Sequence, residues 1–108
     1  MHNKLSKDVR CEQILSAAMT IAKRDGFAAL SRDGVAREAG CGAGTVNCHY
    51  NTMQQLRRAV IRHAVKEAAN STDDKQLLAI VAQGLMSGES SAKKAPDNIK
   101  TAALATLM

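Results

Sequence analysis

The chain has 108 residues, 45% of them apolar, only two aromatics (Phe27 and Tyr50) and a formal net charge of +5. That is enough apolar material for one small core and too much for a disordered chain, while no apolar run approaches the roughly 20 residues of a membrane span. A core so poor in aromatics must be built from Ala, Leu, Ile, Val and Met, which favours packed helices over a sheet.

Met1 to Lys7 holds no apolar stretch and does not read as a secretory leader. Three cysteines, Cys11, Cys41 and Cys48, make an odd count that argues against a disulfide scaffold and for a reducing cytoplasm. Residues 1–66 carry eleven Lys/Arg against five Asp/Glu, and residues 67–108 carry four against five. The basic first half points to a polyanion such as nucleic acid or to an acidic membrane surface; a merely solvated basic face fits equally well.

The first helix is expected to begin at Ser6, a good N-cap, with Asp8 in its first turn. Ile14, Leu15, Ala18, Ile21 and Ala22 then form one apolar stripe. Gly26 ends this helix, and Phe27 packs back on its last turn. Ser31 caps a second helix with Val35, Ala36 and Ala39 inward and Gly40 at its end. Gly34 inside it costs roughly 1 kcal/mol relative to Ala, which suggests close approach of another helix. A third helix runs from about Gly42 to Tyr50, too short to be stable alone.

Thr52 caps a fourth helix, and Gln55 completes a capping box. Its stripe is Met53, Leu56, Val60 and Ala64, with Arg57, Arg58, Arg62 and Lys66 largely off it, and it frays near Asn70 and Ser71. Asp73 or Asp74 opens a fifth helix through Leu77, Leu78, Val81 and Leu85. Residues 88–96 read as a linker by composition. Asp97 then caps a last helix carrying Ile99, Ala103, Leu104 and Leu107. The two C-terminal helices bear more apolar residues than one small core needs.

Two short helices joined by a glycine turn are a common way to seat a helix in the DNA major groove. The motifs go further. Ile14-Leu15-Ser16-Ala17-Ala18, Gly26-Phe27, Ser31, Val35-Ala36-Arg37-Glu38-Ala39-Gly40, Cys41-Gly42-Ala43-Gly44-Thr45-Val46-Asn47-Cys48-His49-Tyr50 and Thr52-Met53-Gln54-Gln55-Leu56 follow one another without gaps. In that order and spacing they resemble the N-terminal domain of the TetR family of transcriptional repressors. The resemblance covers slightly under half the chain. Asn47 and His49 stand where the family has tyrosines, Met53 where it has a phosphate-facing lysine, and Gly42 where it has a serine cap. Operator sequence and affinity therefore do not carry over.

The resemblance implies an all-α fold: a TetR-like helix-turn-helix DNA-binding domain of three to four helices over residues 1–70, followed by two short helices over 71–108. It also implies double-stranded DNA as partner. The third helix would enter the major groove, with Ala43, Gly44, Thr45, Asn47, Cys48 and His49 as candidates. Asn47 can read adenine with two hydrogen bonds, Thr45 a thymine methyl or a phosphate, and His49 can donate to phosphate. Thr45 has a plainer reading as a polar residue early in a helix. Gly42, Ala43 and Gly44 lack bulk, which either permits close approach to DNA or marks a flexible turn. Val46 is read as core.

Phosphate positioning falls to Ser31 and Arg32 at the second helix start, to Lys4, Lys7 and Arg10 as an N-terminal arm, and to Arg57 and Arg58 in place of the missing lysine. For each arginine a solvated surface position competes. Tyr50 turns its ring inward with its hydroxyl near a phosphate, or is simply core. Cys41, Cys48, His49 and His63 lack the spacing of a zinc knuckle, so no metal or other cofactor is expected, and no nucleophile–base set supports an enzyme.

Family members carry a long C-terminal helical domain that binds an inducer and dimerises. With about forty residues in that place, no enclosed drug-sized pocket and no inducer are expected, and the last two helices are expected to form a homodimer interface. The function expected is a small dimeric repressor, cytoplasmic and nucleoid-associated, of the compact kind suited to a phage or plasmid, binding a palindromic operator through residues 42–50. Two alternatives are a DNA-binding accessory protein for replication, partition or packaging, and an antirepressor-type protein-interaction module.

Overall fold

The computed structural model describes residues 7–71 and 74–107, with side chains from Val9 onward. Lys4, Ser6, the side chains of Lys7 and Asp8, and the alternative cap Asp73 lie outside the described residues. The described chain is helical: α1 Lys7–Asp25, a 3-10 turn at Phe27–Ala29, α2 Arg32–Ala39, α3 Ala43–His49, α4 Met53–Asn70, α5 Lys75–Met86, α6 Ser90–Lys93 and α7 Asp97–Ala105.

The apolar periodicities become the core. Ile14, Ala18, Ile21 and Ala22 of α1 are buried with Val35 and Ala36 of α2, Val46 of α3, and Leu56, Val60 and Ala64 of α4. Gly26 ends α1 with φ of 101°, a backbone favourable to glycine, and the buried Phe27 ring follows it inward. The same cluster continues into α5 and α7 through Leu77, Ile80, Val81, Ile99 and Ala103. Ile61 and Ala68, outside the expected α4 stripe, are also fully buried. They widen that stripe because α4 meets α1 on one side and α5 on another.

Four local readings differ from expectation. The segment read as a linker contains α6, because Ala92 and Ala95 bury themselves and Glu89 N–H bonds back to Gly84 carbonyl at 2.9 Å. Pro96, not Asp97, sits at the N-cap of α7. Asp97 is in the first turn instead, 3.4 Å from Lys100. Thr52 does cap α4 by accepting from Gln55 N–H, but Gln55 Oε1 reaches one residue further back, to Asn51 N–H at 2.9 Å. Finally, Gly34 faces its own cap. A Cβ there would lie 2.9 Å from Ser31 Oγ and at ordinary contact from Ile21.

The close approach belongs to Gly84 in α5, where a Cβ would lie 2.5 Å from Ile61 Cδ1 and 3.2 Å from the Ala92 Cβ. Absence of a side chain lets α4, α5 and α6 meet there. Helix α5 is also tied to the front of the molecule. Gln83 Oε1 accepts from Phe27 N–H at 2.7 Å, Gln76 Nε2 donates to Lys23 carbonyl at 3.4 Å, and Asp74 pairs with Lys23 at 3.7 Å.

Candidate nucleic-acid interface

The candidate interface is built from the α2–α3 corner. Ser31 holds an extended backbone and accepts from Gly34 N–H at 3.1 Å, which fixes where α2 starts. At the other end Gly40 adopts φ of 74°. Its N–H bonds to Arg37 carbonyl, and Cys41 N–H bonds to Ala36 carbonyl at 2.9 Å. This is a Schellman ending, which turns the chain sharply with its carbonyls satisfied. The half-buried Cys41 side chain packs on the core beside it.

Gly42 then starts α3 without a side-chain cap. Val46 is the one fully buried residue of this helix and anchors it. Burial of such a side chain contributes about 1.5–3 kcal/mol, and the packed Cys41 and Tyr50 on either side add to it in holding a helix too short to be stable alone. Its neighbours face outward: Gly44, Asn47 and Cys48 are exposed, and Ala43, Thr45 and His49 are half-buried. Apart from the adjoining residues and the helix's own backbone, a Cβ at Gly42 or Gly44 would meet no described atom within 4 Å. Nothing inside the fold therefore requires glycine at these two positions.

Behind α3, His49 Nδ1 lies 3.0 Å from Cys11 Sγ of α1, so one ring nitrogen is engaged within the protein. Sequence reasoning missed this contact because the partners are 38 residues apart. Tyr50 closes α3 with its N–H on Val46 carbonyl at 2.8 Å, and its half-buried ring packs against the core. Burial, and secondarily the charge of an ionised Cys11, push its phenol above the ordinary tyrosine value.

The basic candidates divide. Arg32, the first residue of α2, has a buried Nε with no hydrogen-bond partner among the described residues. Arg10 Nη1 donates to Gln13 Oε1 at 3.2 Å on exposed α1. Arg57 is half-buried, whereas Arg58 is exposed and lines a groove against α6. Ser31 and Arg32 lie at the start of α2 and the α3 residues follow its end, whereas Arg58 stands on α4 against α6. Arg62, Lys66 and Lys94, which join Arg58 in that groove, were not singled out from the sequence as site residues.

No helix among the described residues is long and apolar enough to cross a membrane. Residues 14–60 match the family model described as bacterial regulatory proteins, tetR family. No curated protein matches the chain. A solved structure, the multidrug binding protein EbrR complexed with imidazole, is similar over 88% of this chain with a TM-score of 0.51 and 24% identity. The match covers 59% of that chain, so the present chain spans about three-fifths of its length. At that identity the likeness carries the fold, and it extends past the helix-turn-helix into the C-terminal helices.

Proposed function

We infer, from the match of residues 14–60 to the tetR family of bacterial regulatory proteins, that the chain is a sequence-specific, DNA-binding transcriptional regulator reading its site through α3. The observation that carries this is the division of α3. Val46 alone is committed to the core, while Gly44, Asn47 and Cys48 face solvent. Two glycines without internal neighbours leave the helix start free to approach a phosphate backbone closely.

In this reading Asn47 reads a base edge, and Thr45 and His49 Nε2 reach a methyl or phosphate. Ser31, Arg32, Arg10, Tyr50 and Arg57 position the duplex. Arg32 is the first residue of α2, directly after the Ser31 cap, which suits a guanidinium set against a phosphate at the helix start. Two copies joined through the C-terminal helices would set their recognition helices one helical turn apart, roughly 34–36 Å, over a palindromic operator. Met86, Leu104 and Leu107 support that interface, because all three are large, apolar and exposed on α5, α7 and the chain just after α7. Occupancy of such an operator blocks transcription, which makes the protein a repressor acting at the nucleoid. The reading includes no small-molecule inducer held in an enclosed pocket.

Selection of bound sequences from random DNA, followed by footprinting, tests the proposal. The expected result is one symmetric protected site. Binding without sequence preference, or to a single asymmetric half-site, would count decisively against it.

A further inference from the structure

The strongest feature outside the α2–α3 corner is a groove of about 590 Å³ between α4 and α6. Arg58, Arg62 and Lys66 line one wall, Lys94 the other, and Ser90 and Ser91 add hydroxyls. The three α4 cations are four residues apart, so they stand in a row at steps of about 6 Å. Val65 and Ala95 give the groove an apolar floor.

Among the described residues no carboxylate lines it. The nearest acids in sequence are committed elsewhere: Glu67 to His63 Nε2 at 2.7 Å, Glu89 to Gln54 Nε2 at 2.9 Å and Asp97 to Lys100 at 3.4 Å. None of the four cations forms a side-chain hydrogen bond or ion pair among the described residues. Converging like charges repel one another, and an anion between them relieves that repulsion.

We propose that this groove is a binding site for a compact di- or triphosphate group. Guanidinium forks at Arg58 and Arg62 match phosphate oxygens with paired N–H donors, Lys66 and Lys94 add point charges, and the serines complete the hydrogen bonding. The volume lies within the roughly 300–1,000 Å³ of small-ligand sites. Cations on two facing walls suit a small anion that enters between them, whereas a duplex backbone would lie along one face. The site is independent of the DNA reading at α3.

The test is titration calorimetry with inorganic pyrophosphate on the full chain near 0.15 M salt. Arg62→Glu and Lys94→Glu, one from each wall, are each expected to weaken binding about tenfold or more. Lys75→Glu changes net charge equally on exposed α5 surface outside the groove and is expected to leave affinity within about twofold. Arg62→Gln and Lys94→Gln guard against a folding defect caused by the added carboxylate and should weaken binding in the same direction. Duplex DNA binding by the groove variants, measured in parallel, is expected to remain within about twofold of the parent, apart from the uniform effect seen in Lys75→Glu. Absence of pyrophosphate binding, or equal loss in all charge variants, overturns the site. Loss of duplex affinity as large as the loss of pyrophosphate affinity overturns it too, and makes the groove part of the DNA contact.

Discussion

Asn47 offers a carboxamide donor and acceptor from the exposed side of α3, the pair that adenine matches in the major groove. Asn47→Ala is therefore expected to relax preference at one base position by roughly 1–3 kcal/mol, with other positions unchanged in a repeated selection. A uniform loss over all sequences would assign Asn47 to the backbone instead. Tyr50 gives a second readout close by. It is the only tyrosine and there is no tryptophan, so phenolate absorbance reports it alone. Its midpoint should lie above the ordinary value of about 10, and Cys11→Ala should lower it only part of the way, because burial is the larger cause. The sign for stability follows. The raised value favours the neutral phenol in the fold, so the contribution is complete below about pH 10 and is lost as pH climbs through the folded value. A midpoint equal to that of free tyrosine would mean the ring is not packed as described.

At the level of helices, Gly84 is the most exacting position. Alanine is a better helix former by about 1 kcal/mol, yet its methyl would press on Ile61 and Ala92, both fully buried. Gly84→Ala is expected to lower unfolding free energy by about 1–3 kcal/mol in urea, and Ile61→Val in the same chain should recover much of that loss. A stabilised single variant would contradict the packing. The sequence made the helices legible because their stripes, caps and terminal glycines agree, as at Ser31, Gly40 and Thr52. It made Gly84 illegible, because the reason for that glycine lies on α4 and α6, not within α5. The α6 turn was hidden for a similar reason: Ser90-Ser91-Ala92-Lys93 has linker composition, and only its neighbours make it helical. At the candidate site, α3 was readable from the motif order, but the Cys11–His49 contact and the α4–α6 groove depend on which helix faces which.

At the scale of the molecule, large apolar side chains remain uncovered toward the C-terminal end, while the candidate reading helix lies near the α2 corner. Met86→Lys and Leu104→Lys are expected to shift sedimentation toward monomer and to weaken operator binding, with folding intact because both side chains are already exposed. A persistent dimer in both would move the interface to another face. The Gln83 amide adds a consequence of a different kind. The acceptor for Phe27 N–H arrives fifty-six residues later in the chain. A nascent polypeptide that has left the ribosome only as far as α4 has no protein acceptor there, and water must serve that amide until α5 emerges. The turn before α2 therefore gains this hydrogen bond only once α5 has been made, although it is among the first pieces of the chain to be synthesised.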